Sequence, residues 1–274
     1  MLQSMFSGVS GLRTHQRRMD VIGNDIANVN TPGYKQSDVS FKEAFVNTLR
    51  APSPGTPGQQ VGLGVQLGSI TRDFSGGILM ETGIASNPGI SGDGFFIVGE
   101  PVAGGNDFYS RAGDFVLDPE PGVGTYLINS EGLRLRGVMG DPADLPGATM
   151  EDIILPEDTT AFNIGLDGMI YASSGGATPV AIGRVGIATF ANNNGLEAIG
   201  GNIFRATDAA GLRDYVNPGG DGVGQTVQGY LENSNVDLAK EFTEMIITQR
   251  GFQANSRSIT TSDEMLMELL SLKR

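Results

Sequence analysis

Apolar positions near both ends of the chain recur at a helical step, and between the ends the pattern shortens to strand-length runs. From the N-terminus, Leu2, Met5, Val9, Leu12, Gln16, Met19, Gly23 and Ile26 alternate steps of three and four residues. That is the heptad spacing of a helix with one narrow apolar seam, in which Gln16 and Gly23 are the weak members. Asn30-Thr31-Pro32-Gly33 ends the pattern. Pro32 holds Thr31 out of helical space and Gly33 supplies the positive φ of a type II turn, so the helix is expected to stop near Asn28. At the far end Ser234, with Asp237 three residues on, reads as a capping box. After it Leu238, Phe242, Met245, Gln249, Phe252, Ser256, Ile259, Asp263, Leu266 and Leu270 keep the heptad step and predict a helix of more than thirty residues.

From Lys35 to Leu231 the apolar residues gather between Gly, Asp and Asn. Phe95-Phe96-Ile97-Val98, Phe115-Val116-Leu117, Tyr126-Leu127-Ile128, Met169-Ile170-Tyr171 and Val185 to Phe190 are runs of strand length. Asp93-Gly94 and Asp167-Gly168 are candidate hairpin turns, since a type I′ turn places both central residues at positive φ. Ala51 to Gln60, with three prolines and two glycines, is the most linker-like stretch, and Asn217 to Gly224 is another. The expected fold class is α+β, with N- and C-terminal helices pairing as a coiled coil and a central β-rich domain of short antiparallel strands. The expected domains are residues 1–33 with 233–274 as the helical coiled coil, 34–75 as a connecting region, and 76–232 as the β-rich domain.

Each terminal seam needs a partner helix, and burying a Leu, Met or Phe contributes roughly 1.5–3 kcal/mol per side chain. The simplest partner for one helix is the other. Two helices make a small core, so full burial is expected only when neighbouring chains pack against them, which is the profile of a polymerising subunit.

Composition narrows the function classes. The chain has 41 glycines and 13 prolines, far more than a helical bundle carries, in keeping with a β-rich middle. A formal net charge of −13 repels phosphate backbones and argues against a nucleic-acid partner. The absence of cysteine removes disulfides, thiolate metal sites and a cysteine nucleophile. The single histidine, His15, has no Asp, Glu or Cys at ligand spacing and reads as a partly exposed helix residue. Gly62, Gly64 and Gly68 resemble a phosphate-binding loop only superficially: strand-like Ser69-Ile70-Thr71 follows them, so they read as a glycine-rich strand bend. No Gly-x-Ser-x-Gly elbow is present. These readings assign no catalytic, cofactor-binding or metal residue and point away from an enzyme. No stretch is long and apolar enough to insert in a bilayer, and Met1 to Val29 does not read as a signal peptide, since Arg13, Arg17, Arg18, Asp20 and Asp25 interrupt it.

More specific information sits in Asn24-Asp25-Ile26-Ala27-Asn28-Val29-Asn30-Thr31-Pro32-Gly33-Tyr34. This string resembles the signature of flagellar rod and hook proteins, whose N-terminal helix ends in Asn-rich sequence before Thr-x-Gly-Phe or Thr-x-Gly-Tyr. Val61 to Val65, Gly92 to Val98 and Phe108 to Phe115 resemble the family's β-domain. Gly229 to Leu238 resembles the entry to its C-terminal helix and Gln249 to Arg257 the middle of that helix, so the likeness covers nearly the whole chain.

The resemblance implies a structural subunit of a bacterial flagellar tube, with the terminal helices innermost around an export channel and the β-domain outside them. Leu2, Met5, Val9, Leu12, Met19, Ile26, Leu238, Phe242, Met245, Phe252, Ile259, Leu266 and Leu270 would then carry the helix packing of the polymer. Asn28, Thr31, Pro32, Gly33 and Tyr34 would set the path from helix to outer domain. Family subunits leave the cell unfolded through the flagellar type III export apparatus, without a cleavable signal peptide. Phe41 and Phe45, in Phe41-Lys42-Glu43-Ala44-Phe45, match the Phe-x-x-x-apolar pattern offered to the export gate, for which two packed phenylalanines are the alternative. The implied partners are further copies of the chain, adjacent rod, hook and junction proteins, the hook cap and the export apparatus, with no cofactor and no membrane insertion. The ending from Ile259 to Arg274 resembles short hook proteins and favours a hook subunit. The alternative is the distal rod, whose extra stiffening stretch after the first helix could correspond to Ala51 to Gln60. Outside the family, the competing class is a secreted β-rich binding module or hydrolase.

Overall fold

The computed structural model describes residues 2–51, 57–101, 106–140, 150–175, 178–220 and 222–272. The chain forms two compact units, Met1–Val29 with Gln36–Asp73 and Val236–Arg274, and Asn30–Lys35 with Phe74–Asn235.

The first unit is built on two helices, α1 (Leu2–Ala27) and α2 (Leu238–Leu272). The start of α2 differs from the capping box read at Ser234. Asp237 is the cap: its carboxylate accepts the Ala239 N–H at 2.8 Å and its carbonyl accepts the Glu241 N–H at 2.9 Å. Between Glu232 and Asp237 the chain is still extended, with the Asn233 N–H donating to the Ile78 carbonyl, so the first free helical N–H groups lie one turn later. Residues 34–75, expected as a connecting region, carry regular structure. Ser37–Glu43 pairs antiparallel with Val65–Arg72 through a bulge at Ser40/Phe41, and Val46–Arg50 pairs with Gln59–Gly62. Of the glycine triplet, Gly62 and Gly68 lie in these strands and Gly64 in the connection between two of them. Gly64, at φ 115°, lies too close to Ser10 for a side chain, and Gly68 lies against Ser40. Pro52 to Thr56, within the linker-like stretch, lie outside the described residues.

The second unit is an antiparallel β-structure in which fourteen described strands form one hydrogen-bonded network. Its central strand Phe95–Gly99 pairs with Asp107–Ser110, Arg134–Met139 and Ile187–Phe190. Successive side chains on a strand point to opposite faces, and here both faces are covered. Phe96 and Val98 join one core with Phe115, Leu127, Leu135 and Ile170, while Phe95 and Ile97 join a second with Tyr109, Phe190 and Phe204. Burial on both sides is why this strand reads as an unbroken apolar run rather than an alternating one.

The two Asp-Gly pairs diverge. Asp167-Gly168 does lie in a hairpin, between Thr159–Ile164 and Met169–Ser174. Only Gly168 of the pair has positive φ, and its N–H closes the turn on Gly165, so the loop is longer than a two-residue type I′ turn. Asp93-Gly94 joins strands Pro88–Ser91 and Phe95–Gly99, which belong to different sheets, and makes no hairpin.

Candidate functional site

In the helical unit α1 and α2 run antiparallel, but except at Ile259 their contact face is offset by one residue from the apolar seam. The facing pairs are Ser4 with Ser262 (Oγ to Oγ 3.4 Å), Gly8 with Ile259, Gly11 with Asn255, His15 with Gly251, and Arg18 with Glu244 (2.8 Å). A Cβ on Gly11 would come within 2.8 Å of the Asn255 amide, and one on Gly251 within 2.6 Å of the His15 ring. The helices thus approach through small and polar residues. One residue along an α-helix is roughly a 100° turn, so the bulky seam positions, apart from Ile259 against Gly8, swing away from the pair.

None of the described seam residues is buried in the free chain. Met5, Leu12, Met19, Ile26, Met245, Ile259 and Leu266 are half-buried, and Val9, Leu238, Phe242, Phe252 and Leu270 are exposed. Leu2 begins α1, but its side chain lies outside the described residues. Further apolar side chains that the heptad reading left out are also exposed: Phe6 at 71%, Ile246 and Ile247 at 58%, and Met267 at 61%. Apolar side chains presented this way along two long helices mark an interaction surface, whereas scattered single ones do not.

Where α1 ends and α2 begins, two buried carboxylates are held by the chain entering the first strand. Asp25 accepts the Ser37 N–H at 3.2 Å, and the Gln36 side-chain amide donates to Glu241 Oε1 at 2.6 Å. Burial, then Asp25, then Glu244 push the Glu241 pKa up from its ordinary value. A carboxyl that holds its proton more tightly folded than unfolded weakens the fold as pH rises through its folded pKa. His15 acts in the opposite sense. Burial and then Arg18 push its pKa down, so stability falls as pH drops below the ordinary value of 6.5. In a His15→Gln background, Glu241→Gln should therefore slow amide exchange in the first turns of α2 at neutral pH and have no effect once Glu241 is protonated. Exchange mass spectrometry across that range checks the sign.

The signature turn follows directly on this same end of α1. The Asn28 amide donates to the Asn24 carbonyl at 2.9 Å, completing the helix. Thr31 accepts the Tyr34 N–H at 3.3 Å across Pro32 and Gly33, and Gly33 has φ 68°. In the β-rich unit the Gly33 N–H donates to the Glu232 carbonyl at 2.8 Å, the Pro32 carbonyl accepts from Asn202 at 2.8 Å, and Tyr34 is buried. Lys35, next in sequence, is also buried; its Nζ lies 2.7 Å from both Glu232 Oε1 and the Ser75 carbonyl. Arg111 Nε stands 3.6 Å from Glu232 Oε2. Of the two phenylalanines in the export-type motif, Phe41 packs edge-on against His15 at 5.6 Å, and Phe45 is exposed.

Sequence reasoning missed the contact face and the buried charges. Gly8, Gly11 and Gly251 carried a signal, because a glycine inside a helix costs about 1 kcal/mol relative to Ala and needs a reason such as close approach. Lys35, Asp25, Glu232 and Glu241 carried none, since such residues are ordinarily exposed.

Three family models match the chain: "Flagella basal body rod protein" over residues 5–35, "Flagellar hook protein FlgE/F/G D1 domain" over 89–172, and "Flagellar basal body rod FlgEFG protein C-terminal" over 227–272. The flagellar basal-body rod protein FlgG of Bacillus subtilis is 41% identical over 281 residues, covering 100% of both chains. The FlgG of Buchnera aphidicola from Acyrthosiphon pisum is 36% identical over 99% of this chain and 100% of its own. The flagellar hook protein FlgE of Borreliella burgdorferi is 27% identical over an alignment of 448 residues, with 100% of both chains covered.

Proposed function

The chain belongs to the flagellar basal-body rod and hook protein family, a family of structural subunits of the flagellar hook-basal body, and we propose that it is the distal rod subunit. The observation that carries the structural role is the apolar surface left open on the paired terminal helices. In the proposed polymer that surface meets the helices of neighbouring copies, and the seam residues become the inner packing of a tube. The role is mechanical, with no catalytic step and no cofactor. The polymer's other partners are the adjacent rod, hook and junction proteins, the hook cap and the export apparatus that delivers the chain, with Phe41 and Phe45 as the segment offered to the gate.

The rod alternative fits the relatives better than the hook reading drawn from the chain's ending. The rod relative matches end to end at 41% identity, whereas the hook relative reaches 27% over an alignment far longer than 274 residues. The strand pair Val46–Arg50 with Gln59–Gly62, which flanks the Pro-rich stretch, supports the same choice.

Negative-stain microscopy of cells lacking this protein tests both levels. Absence of the distal rod and of everything built on it is the expected result. Normal flagella would overturn the axial role, and loss of the curved segment alone would select hook over rod.

A further inference from the structure

The chain passes between the two units four times, between residues 29 and 30, 35 and 36, 73 and 74, and 235 and 236. We propose that inside the β-rich unit the buried Lys35–Glu232 pair ties all of these passages into one bundle, so that load enters that unit through every passage at once.

The geometry is centred on one carboxylate. Glu232 Oε1 accepts from Lys35 Nζ and from the Gly77 N–H, each at 2.7 Å. Lys35 Nζ donates also to the Ser75 carbonyl at 2.7 Å. The Glu232 backbone carbonyl accepts the Gly33 N–H, and its strand, Tyr230–Glu232, pairs with Leu79–Glu81. Segment 30–35 supplies the first and second passages, segment 74–77 the third and segment 232–235 the fourth. The Asn235 amide adds a bond to Ser75 Oγ at 3.2 Å, joining the third and fourth directly.

The chemistry suits a fixed tie better than a loose one. Lys35 and Glu232 are almost wholly buried, and Arg111, also buried, stands behind the free carboxylate oxygen. A hydrogen bond between backbone segments alone can slip by a residue. A buried ion pair with a single acceptor geometry cannot, because leaving it strands charge in a medium that does not solvate it. Side-chain charge therefore fixes the register among segments far apart in sequence. The mechanical consequence rests on the structural role proposed above, while the tie itself does not.

Hydrogen exchange on the full chain tests the tie without requiring polymer. In Glu232→Gln, exchange at residues 30–35, 74–78 and 233–235 is expected to rise together by about tenfold or more, while the core strands Phe95–Gly99 and Met169–Ser174 keep their protection within about twofold. Loosening of one segment alone, no change, or equal loosening of every strand would overturn the proposal. If that variant does not fold, Lys35→Met with Glu232→Leu keeps the site filled with apolar side chains and removes the bonds to Ser75 and Gly77. The same three segments are expected to loosen, and their continued protection would overturn the proposal. Tubes grown from either variant are expected to bend more under thermal motion than wild-type tubes, and equal stiffness would overturn the load-bearing role. Failure of the wild-type chain to form tubes would count against the structural role, and the exchange result would still decide the tie.

Discussion

Replacing Phe242 and Phe252 together with Asp is expected to abolish tube assembly at wild-type concentrations while leaving the free chain as stable as before. Both rings are exposed on α2, at 50% and 38%, so neither contributes much to the fold of the isolated chain. Full burial of such a ring contributes roughly 1.5–3 kcal/mol, and about half of each remains to be covered on assembly, so the pair supplies about 1.3–2.6 kcal/mol per subunit, equivalent to roughly 10- to 10²-fold in critical concentration. The introduced carboxylates add a further cost, because they enter an apolar contact without a partner on a chain whose net charge is already −13. Sedimentation of the polymer gives the critical concentration, and a thermal melt of the monomer gives the control. Tubes at the wild-type concentration would remove these helical faces from the interface. A monomer that melts well below wild type would show that the rings support the fold instead.

The helices were legible in the sequence because their apolar residues keep a helical step, and the end of α1 was legible because Pro32 and Gly33 stop it. Which side of each helix meets the other was not. Hydrophobic periodicity reports where bulky side chains lie, and here, apart from Ile259 against Gly8, the intrachain contact is made by residues such as Gly11, Asn255, Gly251 and Ser262, which a hydrophobic reading passes over. The same periodicity did mark Phe242, Phe252 and Leu270, and their exposure gives the seam its proposed meaning as a surface for other copies. In the β-rich unit the run Phe95 to Val98 announced a strand but not its central position, which depends on three partners drawn from distant parts of the chain. The misplaced capping box at Ser234 has a tertiary cause as well. Residues around it are held extended by bonds to Ser75 and Ile78, so helical geometry begins only at the next acceptor, Asp237. The buried charges were illegible for a related reason: a lysine and a glutamate 197 residues apart show no pattern until the fold brings them together.

Substituting Ala for Gly33 is expected to destabilise the β-rich unit more than the same change at Gly132, although both glycines have positive φ, 68° and 79°. An L-residue in that conformation costs roughly 1–2 kcal/mol at either site. At Gly132 nothing lies within 4 Å of an added Cβ, so this cost should be the whole effect. At Gly33 the Cβ would stand 2.6 Å from the Ala112 backbone nitrogen and 2.8 Å from the Arg111 carbonyl carbon, and backbone cannot give way as a flexible side chain can. Relieving such overpacking costs typically about 1–3 kcal/mol, which brings the Gly33 variant to about 2–5 kcal/mol. For a unit of this size each kcal/mol moves the melting temperature by roughly 2–4 °C, so calorimetry should resolve the two variants clearly. The strain also falls on the bond from the Gly33 N–H to the Glu232 carbonyl, so the Gly33 variant should release residues 30–35 before the core strands. Equal losses at Gly33 and Gly132 would mean that the turn needs glycine only for its dihedral angle, and that its close approach to Arg111 and Ala112 contributes nothing to holding the chain as it leaves α1.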